Sequence, residues 1–150
     1  MTSLYQFHED LPPDPLLNGM LDLLAAVFKN QTQSGILADL MYQHARTPVL
    51  VGLALDADRV VGCKLGYERK PESFYSWLGC VDPAWRGHGI ATELMHRQHD
   101  WCRQNGYRTI RTHTYNQWRS MLVLNIRSGF DIIGTVAGRR GLTIVLEKTL

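Results

Sequence analysis

Residues 81–91 read VDPAWRGHGIA, and what lies on either side of them decides the fold. Before them, FYSWLGCV (Phe74 to Val81) is rich in aromatic and β-branched residues, the mark of a strand. After them, Ile90, Ala91, Leu94, Met95, Trp101 and Cys102 recur at helical spacing until Gly106, a residue suited to the left-handed conformation past a helix end. The quoted stretch is therefore a strand-to-helix turn, with Gly87 and Gly89 where the helix begins. A helix N-terminus exposes unpaired N–H groups and roughly half a positive charge, and glycines let an anion approach that backbone closely. With Arg86 and His88 as further donors, the turn reads as a seat for a phosphate or pyrophosphate. The alternative is a tight turn whose glycines only permit positive φ. A P-loop is excluded, because Ile90-Ala91 stands where lysine and serine or threonine belong. A dinucleotide fingerprint fits poorly, because its ribose-binding acid would fall near Tyr107 or Thr109.

Working outward, LYQF (Leu4 to Phe7) is a first strand, and LPPDP a turn in which Asp14 N-caps a helix with Pro15 at its first position. Leu16, Leu17, Met20, Leu21, Leu24, Val27 and Phe28 make that helix amphipathic. A second helix is predicted from about Ile36 to His44, then a hairpin of Pro48 to Asp56 and Arg59 to Arg69 turning at Ala57-Asp58. Ser73 to Val81 joins it as the third strand of a meander. Beyond Gly106 come a strand from Tyr107 to Thr114, a helix from Gln117 to Ser128 closed by Gly129, and strands Phe130 to Val136 and Leu142 to Glu147 joined by AGRRG. The order β-α-α-β-β-β-α-β-α-β-β, with no repeat or linker, implies one α+β domain over residues 1–150 with a mixed sheet.

Composition narrows the function. With 45% hydrophobic and 20% charged residues the chain has an ordinary globular make-up, and a net charge of +2 argues against nucleic acid. No apolar run spans a membrane and no secretory signal opens the chain, so the expected compartment is the cytoplasm. Cys63, Cys80 and Cys102 are widely spaced and read as reduced core thiols. His96, His99 and Asp100 read as a solvated helix face, because a metal site needs three or four converging ligands; no metal is expected. Arg139-Arg140 reads as a solvated hairpin tip, and the tryptophans Trp77, Trp85, Trp101 and Trp118 as core or cleft lining.

Arg86-Gly87-His88-Gly89-Ile90-Ala91 matches the [RQ]-x-x-G-x-[GA] signature of the GCN5-related N-acetyltransferase (GNAT) superfamily, with Val81-Asp82-Pro83 resembling its V-x-P approach. Asn116, SMLVLN and IRSGF ending at Phe130 are similar to its N-x-x-A…L-Y-x-K-x-G-F segment, and the order of elements agrees over essentially the whole chain. The resemblance implies a mostly antiparallel twisted sheet of about seven strands flanked by four helices. It also implies acetyl-CoA as co-substrate, its pyrophosphate held by Arg86, Gly87, His88, Gly89, Ile90, Ala91 and Thr92, and its pantetheine arm by Cys80, Val81 and Asn116.

The departures concern proton transfer. The family's tyrosine that protonates the departing thiolate falls at Asn125, which donates a hydrogen bond but transfers no proton; Tyr115, Tyr75 or water are the substitutes. A general acid contributes ~10²- to 10⁴-fold, and a thiol of pKa about 8.5 leaves fairly well unaided, so the chemistry is slowed and not forbidden. An alkyl amine is almost wholly protonated near neutrality, so a base is needed. The glutamate of the histone-acetylating branch is replaced by Tyr75, which leaves Glu68, Glu72 and His113, with Glu68 preferred. The expected activity is acetyl transfer to a primary amine of a small molecule or peptide by direct attack in a ternary complex. The alternative is an acyl-CoA-binding module on the same fold. No nucleic acid or membrane partner is expected, and a homodimer is admitted.

Overall fold

The computed structural model describes residues 4–139 and 141–150. Its elements are β1 (Leu4–His8), α1 (Leu16–Val27), α2 (Gln33–Arg46), β2 (Val49–Asp56), β3 (Arg59–Lys70), β4 (Ser73–Val81), α3 (Ile90–Gln104), β5 (Thr109–Tyr115), α4 (Arg119–Arg127), β6 (Asp131–Gly138) and β7 (Gly141–Thr149), with a 3-10 turn at Pro83–Trp85. The strands form one sheet in the order β1-β2-β3-β4-β5-β7-β6. The pairs β1–β2, β2–β3, β5–β7 and β6–β7 are antiparallel and β4–β5 is parallel, so the expected mixed, mostly antiparallel α+β sheet with four helices is found.

The chain divides into two compact units, residues 4–67 with 78–98, and residues 68–77 with 99–150. In the first, neighbouring strand residues face opposite sides of the sheet. Val60 meets α1, where a side chain on Gly19 would strike it, while Val61 joins Ala54, Ile90 and Leu94 beneath α3. Tyr5, Phe7, Val81 and Trp85 pack onto that cluster, so the strand leading into the turn and the turn's own tryptophan are fixed by apolar burial. In the second unit, Phe74 gathers Trp101 and Tyr107 at ring-centroid distances of 5.7 and 5.1 Å, and Ile110, Phe130, Ile144 and Leu146 are buried.

Several expectations need correction. Pro15 is the N-cap residue of α1, and Asp14 acts one residue outside it, its carboxylate accepting from the Asn18 N–H at 3.1 Å. Helix α2 begins three residues earlier than predicted, because Thr32 caps it through the Gly35 N–H at 3.1 Å. Strand β5 starts at Thr109 because the N–H groups of Arg108 and Thr109 are taken by the Glu72 carbonyl in the β3–β4 turn. His99 is not on a solvated face. It is 1% exposed, its ring edge-on to Phe130 at 5.6 Å and its Nδ1 accepting from Lys148 Nζ at 3.1 Å, while His96 stays outside. It lies four residues after Met95 and three before Cys102, on the buried stripe of α3. The three cysteines are free and buried, as expected. Arg139 is exposed at the β6–β7 turn; Arg140 lies outside the described residues.

Candidate functional site

The strand-to-helix turn is built from its first residue. Asp82 donates its N–H to the Val61 carbonyl at 2.8 Å, and its carboxylate caps the Ala84 N–H at 2.9 Å and takes Arg59 Nη2 at 2.8 Å. This pins the end of β4 to the start of β3. The chain then climbs through the 3-10 turn to Gly87 and Gly89, whose φ values of +81° and +77° lie where an L side chain is strained. A Cβ built on either glycine meets nothing within 4 Å, so both face open space.

The first hydrogen bond of α3 runs from the Glu93 N–H to the Gly89 carbonyl at 3.0 Å. The N–H groups of Ile90, Ala91 and Thr92 therefore have no helical acceptor, at the positive end of a fifteen-residue helix dipole. Arg86 is exposed beside them and donates Nε to the Val81 carbonyl at 3.4 Å. His88 behaves differently from the donor expected of it. Its Nδ1 donates to the Trp85 carbonyl at 2.9 Å, so in the neutral ring Nε2 is an acceptor, and His88 offers a second donor only when protonated. Open positive-φ glycines, three free N–H groups and a guanidinium suit a diphosphate, so the residues present fit the phosphate end of coenzyme A. Among the described residues no three His, Cys, Asp or Glu side chains gather where they could hold a metal ion, and no helix is long and apolar enough to cross a membrane.

Immediately before the turn, Cys80 Sγ lies 3.9 Å from Cys63 Sγ; that contact first, and burial second, push the Cys80 thiol up and keep it protonated. Sequence reasoning missed what lies beside it. Across one face of the sheet the residues Phe7, Gly52 and Lys64 stand in register, and the Lys64 stem crosses Gly79, its Cδ 3.3 Å from where a Cβ would be. Gly79 gives Lys64 room to lie flat on the sheet, while the Phe7 ring fills the space over Gly52 on the other side. It is only 8% exposed, and burial lowers its ammonium to about 8, Cys63 opposing weakly. The one signal in the sequence is a charge inside the run VVGCKLG, whose neighbours on both sides are apolar.

The proton-transfer candidates all lie in the second unit, and they do not gather in one place. Glu68 is exposed at the end of β3, where its Oε1 accepts from Tyr107 OH at 3.0 Å, two residues before β5 begins. That bond, after burial, pushes the Tyr107 hydroxyl up to about 12. Tyr115 closes β5 at its other end, roughly 20 Å of strand away, packed edge-on to Trp118 at 5.3 Å, with Asn116 in the turn beyond. Asn125 is buried on α4, and its carbonyl accepts from the Phe130 N–H at 3.0 Å. Glu72, at φ 65°, turns outward and meets Arg108 at 3.7 Å on the surface.

His113 occupies a different position. The parallel register of β4 with β5 runs from Ser73↔Thr109 to Ser76↔Thr112, and His113 is the next residue of β5. Its ring stands edge-on to Tyr75 at 5.1 Å. Although its side chain is exposed, desolvation first, then the Arg111 and Arg69 guanidiniums, hold it below the ordinary imidazole value, which favours the neutral ring.

A model of the acetyltransferase (GNAT) family matches residues 4–121. No curated protein is a match by sequence. Among solved structures, the NatC complex bound to Gag peptide and CoA contains a chain with TM-score 0.82 and 17% identity, covering 100% of this chain and 99% of that one. Aminoglycoside 6'-acetyltransferase type Ii superposes with TM-score 0.81 at 19% identity, over 96% of both chains. An N-acetyltransferase from Staphylococcus aureus Mu50 gives 0.79 at 18%, over 99% of both. At these identities the likeness is one of fold.

Proposed function

Because the chain belongs to the acetyltransferase (GNAT) family, we propose that it transfers an acetyl group from acetyl-CoA to a primary amine of a small molecule or peptide. The observation that carries this reading is the open N-terminus of α3 behind Gly87 and Gly89. The N–H groups of Ile90, Ala91 and Thr92, with Gly87, Gly89 and Arg86, hold the pyrophosphate, and His88 stands beside them in the same turn. Cys80 and Val81 on β4, and the Asn116 amide, receive the pantetheine arm. When bound, acetyl-CoA supplies an acyl group activated as a thioester.

The amine must lose a proton to attack, and His113 is the base this reading prefers over Glu68. A neutral imidazole accepts a proton near pH 7, and His113 stands where the β4–β5 register ends, the part of the sheet at which this family admits the arm. Glu68 sits at the opposite end of β5 with an oxygen already engaged by Tyr107. Tyr115 supplies the proton for the departing thiolate, and Asn125 contributes polarity alone.

Asn125 also favours a second reading, an acyl-CoA-binding module with no turnover. Calorimetric titration with acetyl-CoA, followed by release of free thiol with a panel of amines that includes a peptide amino terminus and an aminoglycoside, separates the two. Binding with amine-dependent thiol release is the expected result. Binding without release by any amine leaves the module, and absence of binding removes both readings.

A further inference from the structure

We propose that β6 is the strand at which two copies of this chain join across a two-fold axis, the two strands antiparallel and centred near Thr135. β6 ends the sheet order, paired with β7 on one side and with no described strand on the other. All eight of its residues are exposed, so neither face is covered. Ile132, Ile133 and Val136 are 52%, 50% and 58% exposed, and Leu142, opposite Ala137 on β7, is 46% exposed. Strand β2 is the contrast, with seven of its eight residues buried.

An edge strand is a row of unpaired N–H and C=O groups, and solitary proteins protect such an edge with lysine, proline or covering elements. β6, DIIGTVAG, has neither lysine nor proline, and its only charge is Asp131 at the first position. Its one irregularity, at Ile132/Gly134, leaves Thr135 to Gly138 in regular pairing with β7. Gly134 has open space where a side chain would be, which lets another backbone come close.

The strand is also complementary to itself. It begins with an acid, Asp131, and is followed by a base, Arg139, and neither has an ion-pair partner among the described residues. Antiparallel pairing centred near Thr135 brings the Asp131 end of one copy beside the Arg139 end of the other, twice per dimer. A parallel arrangement would set like charges together. A closed two-fold uses the same surface on both copies, which is what one strand with opposite charges at its ends provides. The pairing continues the sheet from one copy into the next and sets Ile132, Ile133 and Val136 beside the partner's Gly138, the partner's Ala137 and the partner's Gly134.

The test is the mass in solution and the register. Light scattering over roughly a hundredfold range of concentration should give twice the 17.1 kDa chain mass, falling toward one on dilution. Val136→Glu should give a folded monomer by circular dichroism. Asp131→Arg and Arg139→Asp should each weaken association about tenfold, and the double reversal should restore it. Thr135→Cys should cross-link to itself under mild oxidation while Ser34→Cys, exposed on α2, does not; the native cysteines are buried. A monomer at every concentration, a dimer indifferent to Val136→Glu, failure of the double reversal to restore association, or equal cross-linking at positions 135 and 34 overturns the proposal.

Discussion

The turn Asp82–Thr92 and the pair formed by β5 and α4 carry the two halves of the proposed chemistry, and they are written in different materials. The turn works through backbone: two glycines at φ +81° and +77°, a helix start, and an aspartate that fastens them. On the proposed reading it depends on those dihedrals and on the absence of negative charge beside them. β5 and α4 work through side chains whose use depends on which part of the sheet they reach. The sequence favoured Glu68 over His113, yet Glu68 meets Tyr107 before β5 begins and His113 follows the last β4–β5 pair. On the proposed reading, anion binding is a local property here, and proton transfer a property of register.

The sharpest way to break this contrast is His113→Gln. If register selects the base, acyl transfer near pH 7 should fall roughly 10²- to 10⁴-fold, the usual worth of a positioned base. The loss should shrink toward pH 9.5, as free amine forms without help. In the unaltered protein the acid limb of the single-turnover rate should lie below pH 6.5, because the surroundings of His113 favour the neutral ring. A loss constant at every pH would remove His113 as the base.

For the turn, Gly89→Asp should weaken acetyl-CoA binding on the order of a hundredfold, through lost charge-assisted bonds and added repulsion. Gly89→Asn, which tolerates the same backbone and carries no charge, should lose much less. Equal losses in calorimetry would mean that space, and not charge, governs the site.

A stability measurement extends the comparison to Lys64, a side chain held by local packing and with no ion-pair partner among the described residues. Its ammonium value is lowered by burial to about 8 from 10.5, so the cost to the fold is full below pH 8 and disappears as pH rises toward 10.5. Lys64→Met should therefore raise stability at pH 7 by up to about 3 kcal/mol, and the gain should narrow by pH 9.5. Urea unfolding at the two pH values tests this; an unchanged difference would mean the ammonium is not desolvated. The smallest effect belongs to Glu68→Gln, which should change the transfer rate only a few-fold. A loss as large as that of His113→Gln would return Glu68 to the role of base.

Much of this was legible in the sequence. The order of elements, the limits of β4 and the glycine turn follow from apolar period and punctuation, because those signals are local. His99 was legible too, at i+4 from Met95, had the helical stripe been weighed above its polarity. Lys64 was harder, since its stem lies over Gly79, a residue of another strand. The unpartnered edge of β6 was out of reach. DIIGTVAG reads like any half-buried strand until the strand order puts it last.

The central claim, that the backbone at the start of α3 receives the phosphates of acetyl-CoA, is tested most directly by following amide resonances during titration with the cofactor. The N–H signals of Gly87, Gly89, Ile90, Ala91 and Thr92 should move together and saturate at one concentration, while those of β6 from Thr135 to Gly138 stay in place. If the turn's amides remain still while others respond, or if nothing saturates, the account of the site is contradicted.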